Sequence, residues 1–383
     1  MPSFSFSVAT QIRFGQGVAR EAGAAVDGLL GALGAGDQAS ALVIVDPGIR
    51  GASWLQDILG SLESRGRCHH VFDEVRPNPR DEQIDEAAAL IRDRGVGAII
   101  AIGGGSTIDT AKGASLIASH GGHVRDYAGW ARVPGPMRPV VAIPTTAGSG
   151  SEVTAWAVIT DSASHAKLAI GDPKLAPSVA LVDPGLTASL PAGMTAATGM
   201  DALTHSIEAY VSALANPVND LLALESIRLV GANLVRAVAN GEDEAAREAM
   251  ALASTLGGIA INNADVAGVH CLSEGMGSLY DAPHGLLNAI LLPYFMTFWQ
   301  AGSAERFARI AEALGAERRP EQAVNQVVRL ARELKFPTLS QIGVSLADAP
   351  RLAELAEANV SNPSNPVPMT ATDYLGILEQ ALA

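Results

Sequence analysis

Asp201 and His205 stand four residues apart in ATGMDALTHSIEAY, so on a helix both side chains leave the same face and can meet one ion. His270 and His284 lie farther on, in GVHCLSEGMGSLYDAPHGLLNAILLP. Buried polar groups are costly unless paired or bound to metal, and three of the eight histidines fall in these otherwise apolar helical stretches. If the helices face one another, one carboxylate and three imidazoles converge. Each residue also has a plain structural role open to it: Asp201 as an N-cap, His205 as a surface residue, His284 as part of the turn Asp281-Ala282-Pro283-His284-Gly285.

The ligand types bear on the ion. Structural zinc is closed by four ligands and catalytic zinc usually keeps three plus water. Four protein ligands therefore suit an ion that accepts more, Fe(II) first, with Zn(II) or Mn(II) behind it.

A second group lies in VGAIIAIGGGSTIDTAKG, where a strand runs into Gly103, Gly104, Gly105 and Ser106 and a helix opens. Glycines let a ligand approach backbone N–H groups at the positive end of a helix, which suits a pyrophosphate. Ser106 and Asp109 have the spacing of a capping box with Asp in place of Glu. The run is not the usual dinucleotide fingerprint, since no GxGxxG follows the first strand, and such glycines also serve as plain tight turns. Asp46, ending the strand ALVIVD, can accept from ribose hydroxyls and would repel a 2′-phosphate, favouring NAD over NADP; its alternative is a turn residue in Asp-Pro-Gly. Thr145 and Thr146 open a small-residue loop, PTTAGSGSE, after the fourth strand. A divalent ion beside a nicotinamide would polarise a carbonyl or stabilise an alkoxide. That is alcohol and aldehyde hydride chemistry.

The elements that must hold these residues read as two domains. Residues 41–46, 68–75, 96–103 and 138–146 are strand-like, alternating with amphipathic helices over 51–66, 81–95 and 104–119. Such a series predicts a doubly wound, Rossmann-like parallel sheet. Past residues 178–193 the Val/Ile runs stop and apolar residues recur at helical spacing. We expect an α/β dinucleotide-binding domain over 1–191 and an all-helical metal-binding domain over 192–383, with ligands in a cleft between them.

Composition excludes several alternatives. With 48% hydrophobic and 17% charged residues the chain is globular. A net charge of −14 with scattered Lys and Arg disfavours nucleic acid and anionic lipid. No apolar run reaches a membrane span and the start lacks a secretory pattern, so a cytoplasmic location is expected. Cys68 and Cys271 stand far apart with no CxxC, against a disulfide framework.

Taken together, RPNP (76–79), IAIGGGSTIDTAKG ending at Gly113, IPTTAGSGSEVT (143–154), LVDP with ATGMDALTHSIEAY (181–210), PHGLLNAILLP (283–293) and NPVPMT (365–370) resemble the iron-containing (group III) alcohol dehydrogenases over nearly the whole length. The resemblance implies a dehydroquinate synthase-like architecture and Asp201, His205, His270 and His284 as metal ligands. It further implies Asp46 at the adenosine ribose, Gly105 and Ser106 in the pyrophosphate loop, and Asn78, Thr145, Thr146, Thr154 and Lys167 as cofactor contacts. A homodimer or larger assembly is implied too, with the β-prone FSFSVATQI at the interface. In many family members the residue four after the third ligand is a histidine assigned to proton transfer; here it is Glu274. A carboxylate can relay a proton but disfavours anionic substrates.

The leading expectation is an NAD-dependent, metal-dependent dehydrogenase of small primary alcohols or reductase of their aldehydes. Alternatives on the same scaffold are a keto-acid reductase of the maleylacetate reductase or hydroxyacid-oxoacid transhydrogenase type, and a dehydroquinate-synthase-like lyase. A metal- or nucleotide-binding protein without turnover is the non-enzymatic reading.

Overall fold

Strands made of Val, Ile and Ala with no polar alternation can be stable only if both faces are covered. The computed structural model, which describes residues 3–36 and 39–383, shows that outcome. In the α/β part, β1 is Gln11–Phe14, α1 Ala22–Ala32, β2 Ser40–Val45, α2 Ser53–Glu63, β3 His69–Phe72, α3 Asp81–Asp93, β4 Val96–Gly103, α4 Gly105–His120, β5 Gly129–Trp130, β6 Val140–Pro144, β7 Trp156–Thr160, β8 Lys167–Gly171 and β9 Val179–Val182. Six of these form one parallel sheet in the order β1-β9-β6-β4-β2-β3. Alternate side chains of β4 feed two cores: Ile99 and Ala101 join Leu42, Ile44 and Ile108, while Ile100 and Ile102 join Val43, Val45 and Val141.

Strand order reverses at β2, whose neighbours are β3 and β4, and at such a point the crevice beyond the carboxyl ends of the strands is open to a ligand. The ends of three adjacent strands meet there. Asp46 N–H donates to Ile102 O at 3.0 Å and Thr145 N–H to Gly103 O at 3.0 Å.

One sheet was not foreseen and one expectation requires correction. A smaller sheet, β5-β8-β7, with β7 antiparallel to β8, did not emerge from the periodicity because its strands are short and half-exposed. The β-prone FSFSVATQI is mostly not strand: only Gln11 and Ile12 of it enter β1, which pairs with β9 at the sheet edge. Strand propensity is realised only where a partner edge lies in register.

The helical part comprises α5 Ala192–Val211, α6 Pro217–Ala239, α7 Glu244–Ala264, α8 Gly268–Tyr280, α9 His284–Trp299, α10 Ala304–Ala313, α11 Pro320–Glu333, α12 Ala349–Glu357 and α13 Ala371–Leu382. Contacts divide the chain into two compact units, Val8–Thr146 with Ser151–Thr187, and Met1–Ser7 with Ala147–Gly150 and Ala188–Ala383. The core of the helical unit is built on the fully buried Tyr210, Phe295, Trp299, Phe307 and Tyr374. The N–H of Gly268 donates to Asn365 Oδ1 at 3.0 Å, so the start of α8 is pinned by the NPVPMT segment. Asp281, with φ 51°, ends α8 in a left-handed residue and lets the chain turn into α9. Among the described residues no helix is long and apolar enough to cross a membrane.

Candidate active site

Asp201 and His205 sit mid-way along α5, which begins at Ala192, so neither is a helix terminus and the N-cap alternative for Asp201 falls away. His270 is in the first turn of α8 and His284 is the first residue of α9. One ligand atom from each of the four lies within 4.8 Å of the others. Asp201 Oδ1 is 3.9 Å from His205 Nε2, 3.9 Å from His270 Nε2 and 3.7 Å from His284 Nε2. The His205 and His270 rings stack with centroids 4.7 Å apart.

Hydrogen bonds assign the ring protons. Nδ1 of His205 faces Gly148 O at 3.2 Å, and a carbonyl can only accept, so that nitrogen carries the proton and Nε2 is left with its lone pair. Asn288 Nδ2 donates to Asp201 Oδ1 at 2.7 Å, which fixes the orientation of its amide, and the same nitrogen is 3.1 Å from Nε2 of His270 and 3.1 Å from Nε2 of His284. An amide nitrogen accepts nothing, so both Nε2 atoms face it with a lone pair rather than a proton. In His270 the proton consequently lies on Nδ1, against the carboxylate of Glu208.

Electrostatics agree. Burial pushes His270 down to about 4 and also lowers His205, so both rings are neutral near neutral pH. Burial opposes ionisation of Asp201, while the charge that His205, His284 and His270 carry when protonated and the hydrogen bond from the Asn288 amide lower its carboxyl below the usual range. Burial pushes Glu208 up to about 7, against the backbone N–H groups it accepts. Three imidazole lone pairs and a carboxylate converge, and the Asn288 amide nitrogen among them has two protons for three acceptors. Asn288 Oδ1, on the same buried amide, has no hydrogen-bond partner among the described residues. This donor set fits a divalent cation of the Fe(II), Zn(II) or Mn(II) class.

Gly285 is required where α9 approaches α5. A Cβ there would stand 2.6 Å from Ala197 O and 3.0 Å from its carbonyl carbon, with Asp201 Cβ at 3.3 Å. Backbone cannot yield cheaply, so Gly285→Ala must displace the first turn of α9 and His284 with it. We expect a stability loss of about 1–3 kcal/mol and metal affinity reduced at least ~10-fold, read by thermal melting and metal titration. Unchanged affinity would show that this close approach does not set the position of His284.

The glycine run behaves as expected in part. Gly103 is needed for the turn itself, since a Cβ would stand 2.3 Å from Thr107 Oγ1. Gly104 is the N-cap of α4, with no side-chain cap, so the helix starts at Gly105 with Ser106 behind it. The capping box expected between Ser106 and Asp109 is absent. Asp109 instead accepts from Ser151 Oγ at 2.5 Å and Val158 N at 3.0 Å, because the loop after β6 brings better donors than its own helix end. Burial raises Asp109, with Lys112 opposing.

Lys112, fully buried, donates toward Ser151 Oγ (2.9 Å), Thr154 O (3.0 Å), Thr154 Oγ1 (3.3 Å) and Trp156 O (2.7 Å). Lys167 Nζ lies 2.8 Å from Asn78 Oδ1 and 3.0 Å from Thr160 Oγ1, so Lys167 and Asn78, far apart in the sequence, stand together; Asn78 itself has φ 51°. Thr145 follows β6 and Thr146 packs on Gly104. Asp46 Oδ1 accepts from Gly48 N at 2.7 Å, so the turn role is real. Glu274, half-buried one turn after His270, accepts from Asn359 Nδ2 at 2.8 Å.

Sequence reasoning missed Glu208, Asn288, Lys112 and the Gly148 carbonyl. The helical spacing held a signal for the first two: Glu208 follows His205 by three residues and Asn288 follows His284 by four.

Comparison with known proteins settles the family. Residues 9–184 match the family described as iron-containing alcohol dehydrogenase and residues 195–382 its C-terminal part, the Fe-containing alcohol dehydrogenase family, C-terminal. The chain is 40% identical over 350 residues to the NAD-dependent methanol dehydrogenase of Bacillus methanolicus, covering 89% of this chain and 92% of that one. It is 40% identical over 351 residues to the 1,3-propanediol dehydrogenase of Klebsiella pneumoniae, covering 89% and 91%. A crystal structure of a 1,3-propanediol oxidoreductase superposes with TM-score 0.94 at 37% identity, over 99% of this chain and 100% of that one. With a parallel α/β unit, a helical unit and a largely buried Asp-His-His-His cluster already in place, these matches show that the chain belongs to the iron-containing alcohol dehydrogenase family.

Proposed function

We propose that the protein is a metal-dependent NAD(H) alcohol dehydrogenase and aldehyde reductase acting on a small primary alcohol or its aldehyde, with Asp201, His205, His270 and His284 holding Fe(II). The observation that carries this is the convergence of one carboxylate oxygen and three imidazole nitrogens within 4.8 Å. When bound, such an ion supplies Lewis acidity, polarising a carbonyl oxygen and favouring alkoxide over alcohol. Zn(II) or Mn(II) are the alternatives for the same ligands. Relatives named for methanol and 1,3-propanediol support a small primary alcohol.

For the nucleotide, backbone N–H groups of Gly104, Gly105 and Ser106 at the start of α4 meet the pyrophosphate. Asp46 accepts from the adenosine ribose and disfavours a 2′-phosphate, so NAD is preferred to NADP. Asn78, Thr145, Thr146, Thr154 and Lys167 contact the dinucleotide. Asp109 serves it indirectly, by holding Ser151 and Val158.

The test is an NADH oxidation assay over short aldehydes with metal-replete and chelator-treated protein. Turnover that disappears on chelation and returns with Fe(II) is expected. No turnover by metal-replete protein on any aldehyde would sink the proposal.

Glu274 is the proposed proton relay. Glu274→Gln is expected to keep its metal and lose about 100-fold in kcat; a wild-type rate would remove it from the proton path. A cytoplasmic homodimer or larger assembly completes the proposal. The exposed edge of the sheet at β1 supports the assembly, and light scattering on purified protein tests it.

A further inference from the structure

Glu208 is fully buried on α5, one turn after His205, and its carboxylate meets two donors on α8: Oε1 accepts from Val269 N–H at 2.8 Å and Oε2 from His270 Nδ1. We propose that Glu208 is a positioning residue that selects the metal-binding tautomer of His270 and thereby sets the affinity of the site for its ion. This rests on the metal-dependent reading above.

Both donors must be met by acceptors, since a backbone N–H cannot accept and the Asn288 amide on Nε2 of His270 requires the ring proton to sit on Nδ1. A carboxylate is the side chain that offers two acceptor atoms here. It also makes the ring a stronger donor at Nε2, as carboxylates behind metal-bound histidines do.

Glutamine has the same shape and cannot serve both donors. With its oxygen toward His270, its NH₂ meets the Val269 N–H head on. With its oxygen toward Val269, its NH₂ donates to Nδ1 and drives the ring proton to Nε2, the atom needed by the ion.

The experiment titrates metal-free wild type and Glu208→Gln with Co(II), following its visible absorption, alongside thermal melting of the metal-free forms. Affinity about 10- to 100-fold weaker in the variant, with folding retained, is the expected result. Equal affinity overturns the role of Glu208 alone, whereas wild type that takes up no Co(II) overturns the functional reading on which it rests. Nitrogen-15 spectra of histidine-labelled metal-free wild type, with His270 assigned by His270→Gln, decide the matter even if Glu208→Gln does not fold. A protonated Nδ1 is expected, and a protonated Nε2 overturns the proposal.

Discussion

Replacing His284 with alanine is expected to leave the site without its ion and to lower kcat/KM by at least about 1000-fold, roughly 4 kcal/mol of transition-state stabilisation. His284 is the ligand whose loss should harm the fold least. It is the first residue of α9 and its side chain is 38% exposed, against 7% or less for the other three. Without it, Asp201 and two imidazoles remain, a number of ligands that catalytic zinc can use but that leaves the proposed Fe(II) one protein ligand short. The residues proposed to hold the dinucleotide all belong to the α/β unit, so NAD affinity should change by no more than about twofold, the additive expectation for independent sites. Elemental analysis, steady-state rates and calorimetric NAD binding check this. A variant that retains both metal and rate would show that His284 is not a ligand.

Lys112→Met should destabilise the α/β unit by about 3–5 kcal/mol, because removing one partner of a buried charged pair strands the other. Lys112 is the cation 3.8 Å from the largely buried Asp109, and it also caps the carbonyls of Thr154 and Trp156. Methionine fills the volume but leaves those acceptors without their ammonium. Since they tie α4 to the segment from Ser151 to Trp156, NAD affinity should fall with stability. The sign with pH is distinctive. Burial lowers Lys112 to about 8 from its ordinary 10.5, so between those values the unfolded chain binds more protons and rising pH favours the fold at this position. The stability gap between wild type and Lys112→Met should therefore widen from about pH 8 to 10.5, measured by urea unfolding. A constant gap would show that the buried amine is not titrating in that window.

Much of this protein was legible before folding was considered. The run VGAIIAIG reads as a strand covered on both faces because nothing in it tolerates water, and β4 has the same limits. Asp201 and His205 read as a pair because one helical turn joins them. By contrast, Ser106 and Asp109 have the spacing of a capping box, yet Asp109 bonds Ser151 and Val158, donors delivered by a distant loop and by β7. FSFSVATQI has strand propensity, and only its end finds a partner edge.

Local periodicity by itself therefore determined the kind of each long element, the placement of the glycine run at a strand's end and the pairing of Asp201 with His205 on one helix face. Packing decided the rest: that α5, α8 and α9 bring four side chains to one point, that Asn288 fills the gap between them, and that Glu208 stands behind His270. The reason is physical. Helical and strand spacing are set by backbone geometry over a few residues, whereas the partner of a buried polar group is whichever donor or acceptor the tertiary fold brings within about 3 Å.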